Sequence, residues 1–283
     1  MTEAWAPSPH ELERRQVRRS QRRRRTLIAV AVTVLVFGVL LVGAAASPGW
    51  PSVRQLFFNG HHAHDSFRAI LDGFWINVKL FLICEPCILV AGLAIALARN
   101  ARSPWLAPLR VVAVVYTDVV RGIPTILLVV LFGFGFPALR LQGIPSSLFF
   151  WAAAALIVSY SAYVAEVFRS GIDSIHPSQV NSASALGLSR GQTMRFVVVP
   201  QAVRRVVPPL LNDFVSLQKD TALVSSLGLF DALFSARDYG NYNFNYTPLV
   251  VVAGFFIVCT VPLARFCDWL QRRWLERERA GAL

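Results

Sequence analysis

Residues 147–168 read SLFFWAAAALIVSYSAYVAEVF, an apolar run whose one charged residue, Glu166, stands close to its end. A helix of about 20 residues spans roughly 30 Å, the thickness of the hydrocarbon layer of a membrane. Comparable runs occupy residues 26–47, 69–98, 108–136, 205–230 and 247–270. The sequence therefore predicts an all-α polytopic membrane protein with about six transmembrane helices.

The composition supports a membrane protein and helps to decide whether nucleic acid is a partner. Of the 283 residues, 55% are hydrophobic and 16% are charged, which is less charge than an average soluble domain carries. The net charge of +12 would favour a nucleic-acid partner in a soluble protein. Here eight arginines are concentrated between Arg14 and Arg25, directly before the first apolar run. Such a basic flank orients a first span, so we predict a topology determinant and no nucleic-acid partner. A lipid- or nucleic-acid-binding arm is the alternative.

The other arginines favour one orientation of the spans. Twenty arginines fall in the segments that six spans would place on one side of the membrane. The opposite side holds four, namely Arg54, Arg68, Arg140 and Arg237. Because basic residues are enriched in cytoplasmic loops, both termini are predicted to be cytoplasmic. The first apolar run is too long for the core of a signal peptide and is interpreted as a membrane helix.

Two small clusters have the residue types of metal or redox sites. Cys84 and Cys87 form a Cys-Glu-Pro-Cys motif within an apolar run, where small buried residues are a better interpretation than a redox or metal pair. Residues 61–64 contain three histidines, with Asp65 as the one further ligand nearby. An exposed polar loop is favoured there over a metal site. We predict neither a metal site nor a disulfide.

The segment between the fourth and fifth predicted spans, residues 169–208, is too polar to cross a membrane and too patterned for a linker. Gly187 follows one helical run, and Ser189 precedes a second run that ends before Pro200. Glycine commonly ends helices, and serine commonly caps their first turn. We therefore predict two short helices that are joined at Gly187, with Ser189 as a cap.

This segment resembles the cytoplasmic loop of permease subunits of type I ABC importers, specifically the polar amino acid uptake family. In that family the loop begins Glu-Ala-Ala, has glycine six residues after the glutamate, and closes with an aliphatic-x-Leu-Pro element. Here Asn181-Ser182-Ala183 stands at the start, Gly187 at the glycine position and VVVP, residues 197–200, at the end.

Three further stretches are similar to the amino acid branch of these permeases. They are DVVRGIP at residues 118–124, SYSAYVAEVFRSGI at 159–172 and NDFVSLQKDTALV at 212–224. The resemblance covers about residues 69–272 and implies a type I importer, MetI-like permease fold. The implied organisation is a basic cytoplasmic arm (1–25), a first transmembrane helix with an outer loop (26–67), a permease domain (68–272, coupling loop 170–205) and a cytoplasmic tail (273–283).

The resemblance also implies which residues couple the permease to its ATPase: Asn181, Ser182, Ala183, Ala185, Leu186, Gly187 and Leu188. The apolar members Ala185, Leu186 and Leu188 are expected to dock in a groove of the partner. One departure concerns the family's acidic residue, which is replaced here by Asn181, while Ser182 replaces the next alanine. Docking is expected to survive this change, whereas the strength of coupling is put in doubt.

Charges within a membrane are costly unless they are paired or face water. Four charged residues in the spans are therefore predicted to line a translocation path and to sense a zwitterion: Glu85, Asp118, Arg121 and Asp213. The alternative, of equal weight, is that they form ion pairs that stabilise helix packing. Asp118 and Arg121 share a helix face, as do Glu166 and Arg169. The latter pair, near a cytoplasmic end, is interpreted as structural.

The resemblance implies a permease subunit that imports an amino acid, polar or charged, across the bacterial plasma membrane. The sequence contains no Gly-x-x-x-x-Gly-Lys-Ser/Thr loop, so we expect no enzyme activity and no cofactor in this chain, with ATP bound by partner subunits. The expected partners are an ATPase dimer, an extracytoplasmic amino-acid-binding protein and a second permease, identical or homologous. Which amino acid is carried stays open.

Two other classes of protein compete with this interpretation. An ion-gradient-driven secondary transporter or channel would use buried acids as proton or sodium sites. It is disfavoured because no inverted repeat is visible and because the loop at 169–208 is organised. A membrane scaffold without transport is disfavoured by the polar residues Glu85, Asp118 and Asp213 within the spans.

Overall fold

The computed structural model describes residues 9–101, 103–140 and 142–281. Arg102, Leu141, the first eight residues of the predicted arm and the last two residues of the predicted tail lie outside the described residues. The chain divides into two compact units, residues 1–56 and 57–283.

The first unit consists mainly of α1 (Pro9–Ala45) and of most of α2 (Trp50–Phe57). At 37 residues, α1 is about 55 Å long, and it joins the arginine-rich arm to the first predicted span without a break. Strong helix formers run through the arm, and the helix ends just before Pro48 and Gly49. One helix therefore carries residues of both the arm and the first span, and the boundary between them at residue 25 stays a prediction.

The second unit begins with α3 (Gly60–Asn100), a helix of 41 residues. The side chain of Asn59 caps it by accepting a hydrogen bond from the backbone N–H of His61 at 3.0 Å. The histidine-rich segment at 61–64 thus lies in the first turns of a helix, and the prediction of a loop there was wrong. Pro86 is accommodated within the same helix.

The next predicted span, 108–136, is bent rather than straight. A short 3-10 turn leads into α4 (Ala107–Gly122), which is followed by α5 (Thr125–Val130), a π-helical segment (Leu131–Gly135) and α6 (Phe136–Ala138). The two halves meet at 104°. Pro124 lacks an N–H, and the residue before it, Ile123, is extended with φ −102° and ψ 128°. The proline therefore breaks this span.

The remaining described elements are also helical. They are α7 (Leu148–Asp173), α8 (Pro177–Ala185), α9 (Arg190–Thr193), a π-helical segment (Met194–Val198), α10 (Val199–Asp220), a 3-10 segment (Thr221–Leu227), α11 (Ala232–Asn243) and α12 (Thr247–Gly281).

Among the described residues, four helices are long and apolar enough to cross a membrane, α1, α3, α7 and α12. The bent pair raises that number to five. The fifth predicted span, 205–230, corresponds to α10 and the 3-10 segment, which do not qualify by composition because several charged residues interrupt them. The prediction of a polytopic all-α protein is confirmed.

The core of the second unit is built around α7, which packs against α3, α4, α5 and α10. Small residues of α7, such as Ala152 and Ala155, are fully buried and allow close approach. At Gly92 of α3 an added Cβ would lie 2.5 Å from Cγ1 of Val164. The helices α3 and α7 therefore meet at a distance that only glycine permits at residue 92.

A second close contact joins α3 to the start of α11. The Asn77 side chain donates to Asp231 Oδ2 at 3.0 Å, and the backbone N–H of Ala232 donates to Asn77 Oδ1 at 3.1 Å. Asp231 also caps α11 by accepting from the backbone N–H of Phe234 at 2.9 Å. A Cβ at Gly73 would lie 2.5 Å from the backbone carbonyl carbon of Asp231. Buried hydrogen bonds and backbone contact thus fix α11 on α3.

Candidate functional site

The loop between α7 and α10 is an ordered pair of short helices. The first, α8, begins at its cap His176, whose ring Nδ1 accepts a hydrogen bond from the backbone N–H of Ser178 at 3.2 Å. Pro177 occupies its first position, where a missing N–H costs nothing. The prediction of two short helices in this segment is confirmed.

Gly187 ends α8 in the left-handed region, with φ +81°. The backbone N–H of Gly187 donates to the carbonyl of Ser184 at 3.0 Å, and that of Leu188 donates to the carbonyl of Ala183 at 3.1 Å. These two bonds form a Schellman motif, which satisfies the free carbonyl groups at a helix end. Glycine adopts this conformation without the strain that a side chain would add.

Ser189 starts α9 with a reciprocal capping box. Its hydroxyl accepts from the backbone N–H of Gln192 at 3.3 Å, and the Gln192 side chain accepts from the backbone N–H of Ser189 at 2.9 Å. A side-chain hydrogen bond of 2.7 Å from Gln201 to Gln179 ties α10 to α8. Because its backbone groups are satisfied locally, this segment holds its shape from its own sequence.

The predicted coupling residues differ in exposure. Leu186 stands out at the turn with 82% of its surface exposed, while Ala183 is buried against the rest of the segment. Leu188 is half-buried. The other members, Asn181, Ser182, Ala185 and Gly187, are exposed. Leu186 and Ala185 are therefore available to a partner, whereas Ala183 serves the packing of the segment itself.

Exposed apolar side chains also occur on the elements that follow Leu186 in the chain. Met194 and Phe196 on the π-helical segment are 46% and 62% exposed, and Val199 at the start of α10 is 43% exposed. An exposed apolar surface of this kind on a polar segment indicates an interaction surface. The sequence interpretation missed Met194 and Phe196, although both lie within the second helical run that it identified.

Two of the four predicted path residues lie together. Glu85 on α3 is half-buried, and the carboxylate of Asp213 on α10 is near enough to interact with it electrostatically. Asp213 Oδ2 is buried without a hydrogen-bond partner among the described residues. Two acids that interact within a helical bundle create a site of negative potential for a cationic group.

A tyrosine and a third acid adjoin this pair. Tyr160 on α7 donates from its hydroxyl to Asp220 Oδ2 at 2.7 Å. Asp220 lies seven residues after Asp213, two turns along α10, and therefore on the same side of that helix. Both residues fall within the family-like stretches of the sequence, but only the assembled helices bring them together.

The other two predicted path residues, Asp118 and Arg121, belong to a different region. Arg121 Nη1 lies 3.5 Å from Glu166 Oε2, and its guanidinium packs 5.9 Å from the ring centre of Tyr163. Asp118 is exposed and is found in no ion pair of the described residues. The ion pair between Asp118 and Arg121 that the sequence suggested as an alternative is therefore not formed.

Glu166 instead connects three helices. Arg99 Nη1 at the end of α3 donates to Glu166 Oε2 at 2.9 Å and to Thr117 of α4 at 2.7 Å. Arg169 of α7 pairs with Glu166 as well, as its position one turn later predicts. The Glu166 cluster (Arg99, Arg121, Glu166 and Arg169) thus ties together α3, α4 and α7. Along α3, Arg99 lies about 20 Å from Glu85, so this cluster is separate from the acid pair.

The cysteine and histidine motifs do not assemble a metal site in the described part of the chain, where no group of three suitable side chains occurs. Cys84 is buried and Cys87 is exposed, and both are free thiols. His62 Nδ1 lies 3.1 Å from the hydroxyl of Tyr239, which connects α3 to α11.

Comparisons with known proteins show the family of this chain. A family model described as binding-protein-dependent transport system inner membrane component matches residues 88–276. The arginine transport system permease protein ArtQ of Bacillus subtilis (strain 168) is 31% identical over 207 residues, which cover 73% of this chain and 92% of the relative. The glutamate transport system permease protein GluC of Corynebacterium glutamicum is 32% identical, with 69% of this chain and 89% of the relative covered.

Solved structures agree with these relatives. The crystal structure of an amino acid ABC transporter with histidines contains a chain that superposes with a TM-score of 0.70 at 28% identity, covering 77% of this chain and 100% of that one. A chain of the MetNI methionine ABC transporter superposes with a TM-score of 0.60 at 18% identity, covering 74% and 97%, and shows the shared fold alone. The chain belongs to the binding-protein-dependent transport system inner membrane components, and it is a permease subunit of the type I ABC importer class that its sequence resembles.

Proposed function

We propose that this chain forms the membrane path of an ABC importer that carries an amino acid, polar or charged, across the bacterial plasma membrane. The single observation that carries the proposal is the capped α8–α9 segment, which presents Leu186 outward at a turn fixed by Gly187. A rigid segment with an exposed apolar tip is suited to receive motion from another subunit. The amino-acid permeases among its relatives support the substrate class.

The energy for transport comes, in this proposal, from a separate ATPase dimer that binds ATP and contacts the α8–α9 segment. The arginine-rich segments then face the cytoplasm together with both termini, as basic residues favour. An extracytoplasmic binding protein delivers the amino acid at the opposite end, and a second permease, identical or homologous, completes the path. This chain needs no cofactor of its own.

Within the path, we propose that Glu85 and Asp213 act on the amino group or on a cationic side chain of the substrate. The basis is the unpartnered, buried Oδ2 of Asp213, which a passing cation would satisfy. Asp118 and Arg121 stay candidate path residues at the end of α4. Arg121 is the less free of the two because it also binds Glu166.

Reconstitution of the complete complex in proteoliposomes tests the function. The purified complex would be supplied with ATP inside and with its binding protein outside, and uptake of radiolabelled arginine, glutamine and glutamate would be measured. We expect uptake of at least one of them that requires ATP and persists when ionophores collapse the proton and sodium gradients. Uptake that did not require ATP but ceased when the ionophores were added would refute an ATP-driven importer.

The same experiment tests the second candidate, an ion-gradient-driven carrier. The observation that favours it is again the acid pair, because a buried carboxylate without a hydrogen-bond partner can serve as a proton or sodium site. In that case Asp213→Asn would abolish the dependence of uptake on the ion gradient. In an ATP-driven importer, the same variant would instead change the apparent affinity for the substrate.

A further inference from the structure

A cleft of about 550 Å³ lies beside α11. None of its lining residues belongs to the loop that carries Leu186. Its walls are the π-helical segment at Leu131–Gly135, the 3-10 segment at Thr221–Leu227 and one face of α11. Its volume falls within the range of sites that hold small molecules. We call it the α11 cleft.

The α11 wall is polar and carries both signs of charge. Phe234, Arg237, Asp238 and Asn241 line the cleft, and their spacing is that of one helix face. Neither Arg237 nor Asp238 takes part in an ion pair among the described residues, and both are exposed. A free cation and a free anion therefore stand side by side at the same opening.

The facing wall is irregular in backbone and supplies further polar groups. Ser225 and Ser226 line the cleft, and Ser225 is 6% exposed. Gly228 follows in the left-handed region with φ +78°. On the third wall, Leu227 packs into the space left by Gly133 in the π-helical segment. Single-turn π segments within helices recur at functional sites, and here one borders the cleft.

We propose that the α11 cleft is a loading site that binds the α-carboxylate of a free amino acid at Arg237 and its α-ammonium group at Asp238. This inference rests on the proposed function, which orients α11 toward the outer side of the membrane. The site recognises the two groups that all amino acids share, with Ser225 and Asn241 available for polar side chains. It therefore selects a zwitterion over a simple cation or anion.

The charges of the cleft explain this choice of ligand. One positive and one negative residue cancel, so neither an inorganic cation nor an anion gains net attraction from the cleft. A zwitterion places opposite charges on both residues at once, and each such charge-assisted hydrogen bond strengthens binding. Phe134 and Phe234 supply apolar surface beside these charges, as small-molecule sites commonly do.

The test measures direct binding to the purified complex without the binding protein. The probe is the radiolabelled amino acid that the parental complex takes up best, competed by its methyl ester and by its N-acetyl derivative. Parental complex should bind the free amino acid about tenfold or more tightly than either derivative, because each derivative lacks one charge. In Arg237→Gln, the dissociation constant of the ester divided by that of the free amino acid should fall close to one. In Asp238→Asn, the corresponding ratio for the N-acetyl derivative should fall close to one.

Matched variants separate this effect from loss of folding. Arg68→Gln and Asp72→Asn remove the same charges from exposed positions of α3 outside the cleft and should leave both ratios unchanged. Arg237→Lys and Asp238→Glu keep the charges and should retain most of the discrimination. Equal thermal unfolding midpoints for all variants would show that the cleft variants are folded.

Several results would overturn the loading site. They are a parental complex that binds no amino acid in the millimolar range, unchanged ratios in Arg237→Gln and Asp238→Asn, or ratios that change equally in the α3 controls. Weaker docking of the binding protein with unchanged ratios would show that the cleft contacts a protein instead. In each case ATP-dependent uptake by the parental complex would persist, whereas loss of that uptake would concern the proposed function.

Discussion

Gly187 holds the turn between α8 and α9 in a conformation that any side chain penalises. Its φ of +81° lies in the left-handed region, and no atom outside its immediate chain neighbours lies within 4 Å of an added Cβ. Replacement therefore costs only conformational strain, about 1 kcal/mol for alanine and more for the β-branched valine. Asparagine tolerates this region and should cost less.

A strain of about 1 kcal/mol lowers the equilibrium constant between the native turn and its alternatives roughly fivefold. If this turn is what the ATPase binds, the affinity of the ATPase subunit should fall in Gly187→Ala by up to that factor. We expect a larger loss in Gly187→Val and a change within about twofold in Gly187→Asn. Titration of labelled ATPase subunit onto the permease in nanodiscs would measure these affinities. Substrate-stimulated ATP hydrolysis and uptake should fall in the same order.

Gly191 provides the matched control, because it also has open space around its Cβ but lacks a positive φ. Gly191→Ala lies within α9 and should leave ATPase binding unchanged. The reasoning is refuted if a Gly187→Val complex keeps its ATPase and still hydrolyses ATP and imports substrate at the parental rate. It is equally refuted if Gly191→Ala shows the same loss as Gly187→Ala.

Three further changes address the charged residues. Glu166→Gln should lower the unfolding free energy by about 2 kcal/mol. This is less than the roughly 3 to 5 kcal/mol lost when a fully buried ion pair is broken, because 22% of the Glu166 side chain is exposed. An unchanged midpoint in a thermal-shift assay would contradict this prediction. Asp118→Asn should lower uptake while assembly with the ATPase stays intact, since Asp118 is exposed, and a degraded, unassembled variant would favour a structural role. Asn181→Glu should keep or strengthen coupling, measured as ATP hydrolysed per substrate imported, and a clear rise in that ratio would argue against it.

The sequence predicted best those features that depend on local chemistry. The two helices of the loop followed from Gly187 and Ser189, whose roles in ending and capping helices involve only neighbouring backbone groups. The pair of Glu166 and Arg169 followed from their spacing on one helix. The apolar runs at α1, α3, α7 and α12 were equally clear, because hydropathy and length suffice to find them.

Features that depend on contacts between helices were missed. Arg99 and Thr117 are far from Glu166 in sequence, and only helix packing brings them to it. The same holds for Asn77 and Asp231. The bend at Pro124 had a local signal in the proline itself, but an apolar run on both sides hid it. The ion pair of Asp118 and Arg121, one of the two alternatives that the sequence left open, does not form, and Arg121 lies beside Glu166 instead.

The close contacts at Gly73 and Gly92 constrain the evolution of this sequence in different ways. The nearest obstacles to a Cβ at residue 92 are Cγ1 and Cβ of Val164, at 2.5 and 2.9 Å, so glycine at 164 would remove both and make room for alanine at 92. Substitutions at residues 92 and 164 can therefore occur together in related sequences. The obstacle to a Cβ at residue 73 is the backbone of Asp231, and every type of amino acid at residue 231 has the same backbone atoms. No second substitution at 231 can compensate, and glycine at 73 should persist for as long as α11 rests on α3.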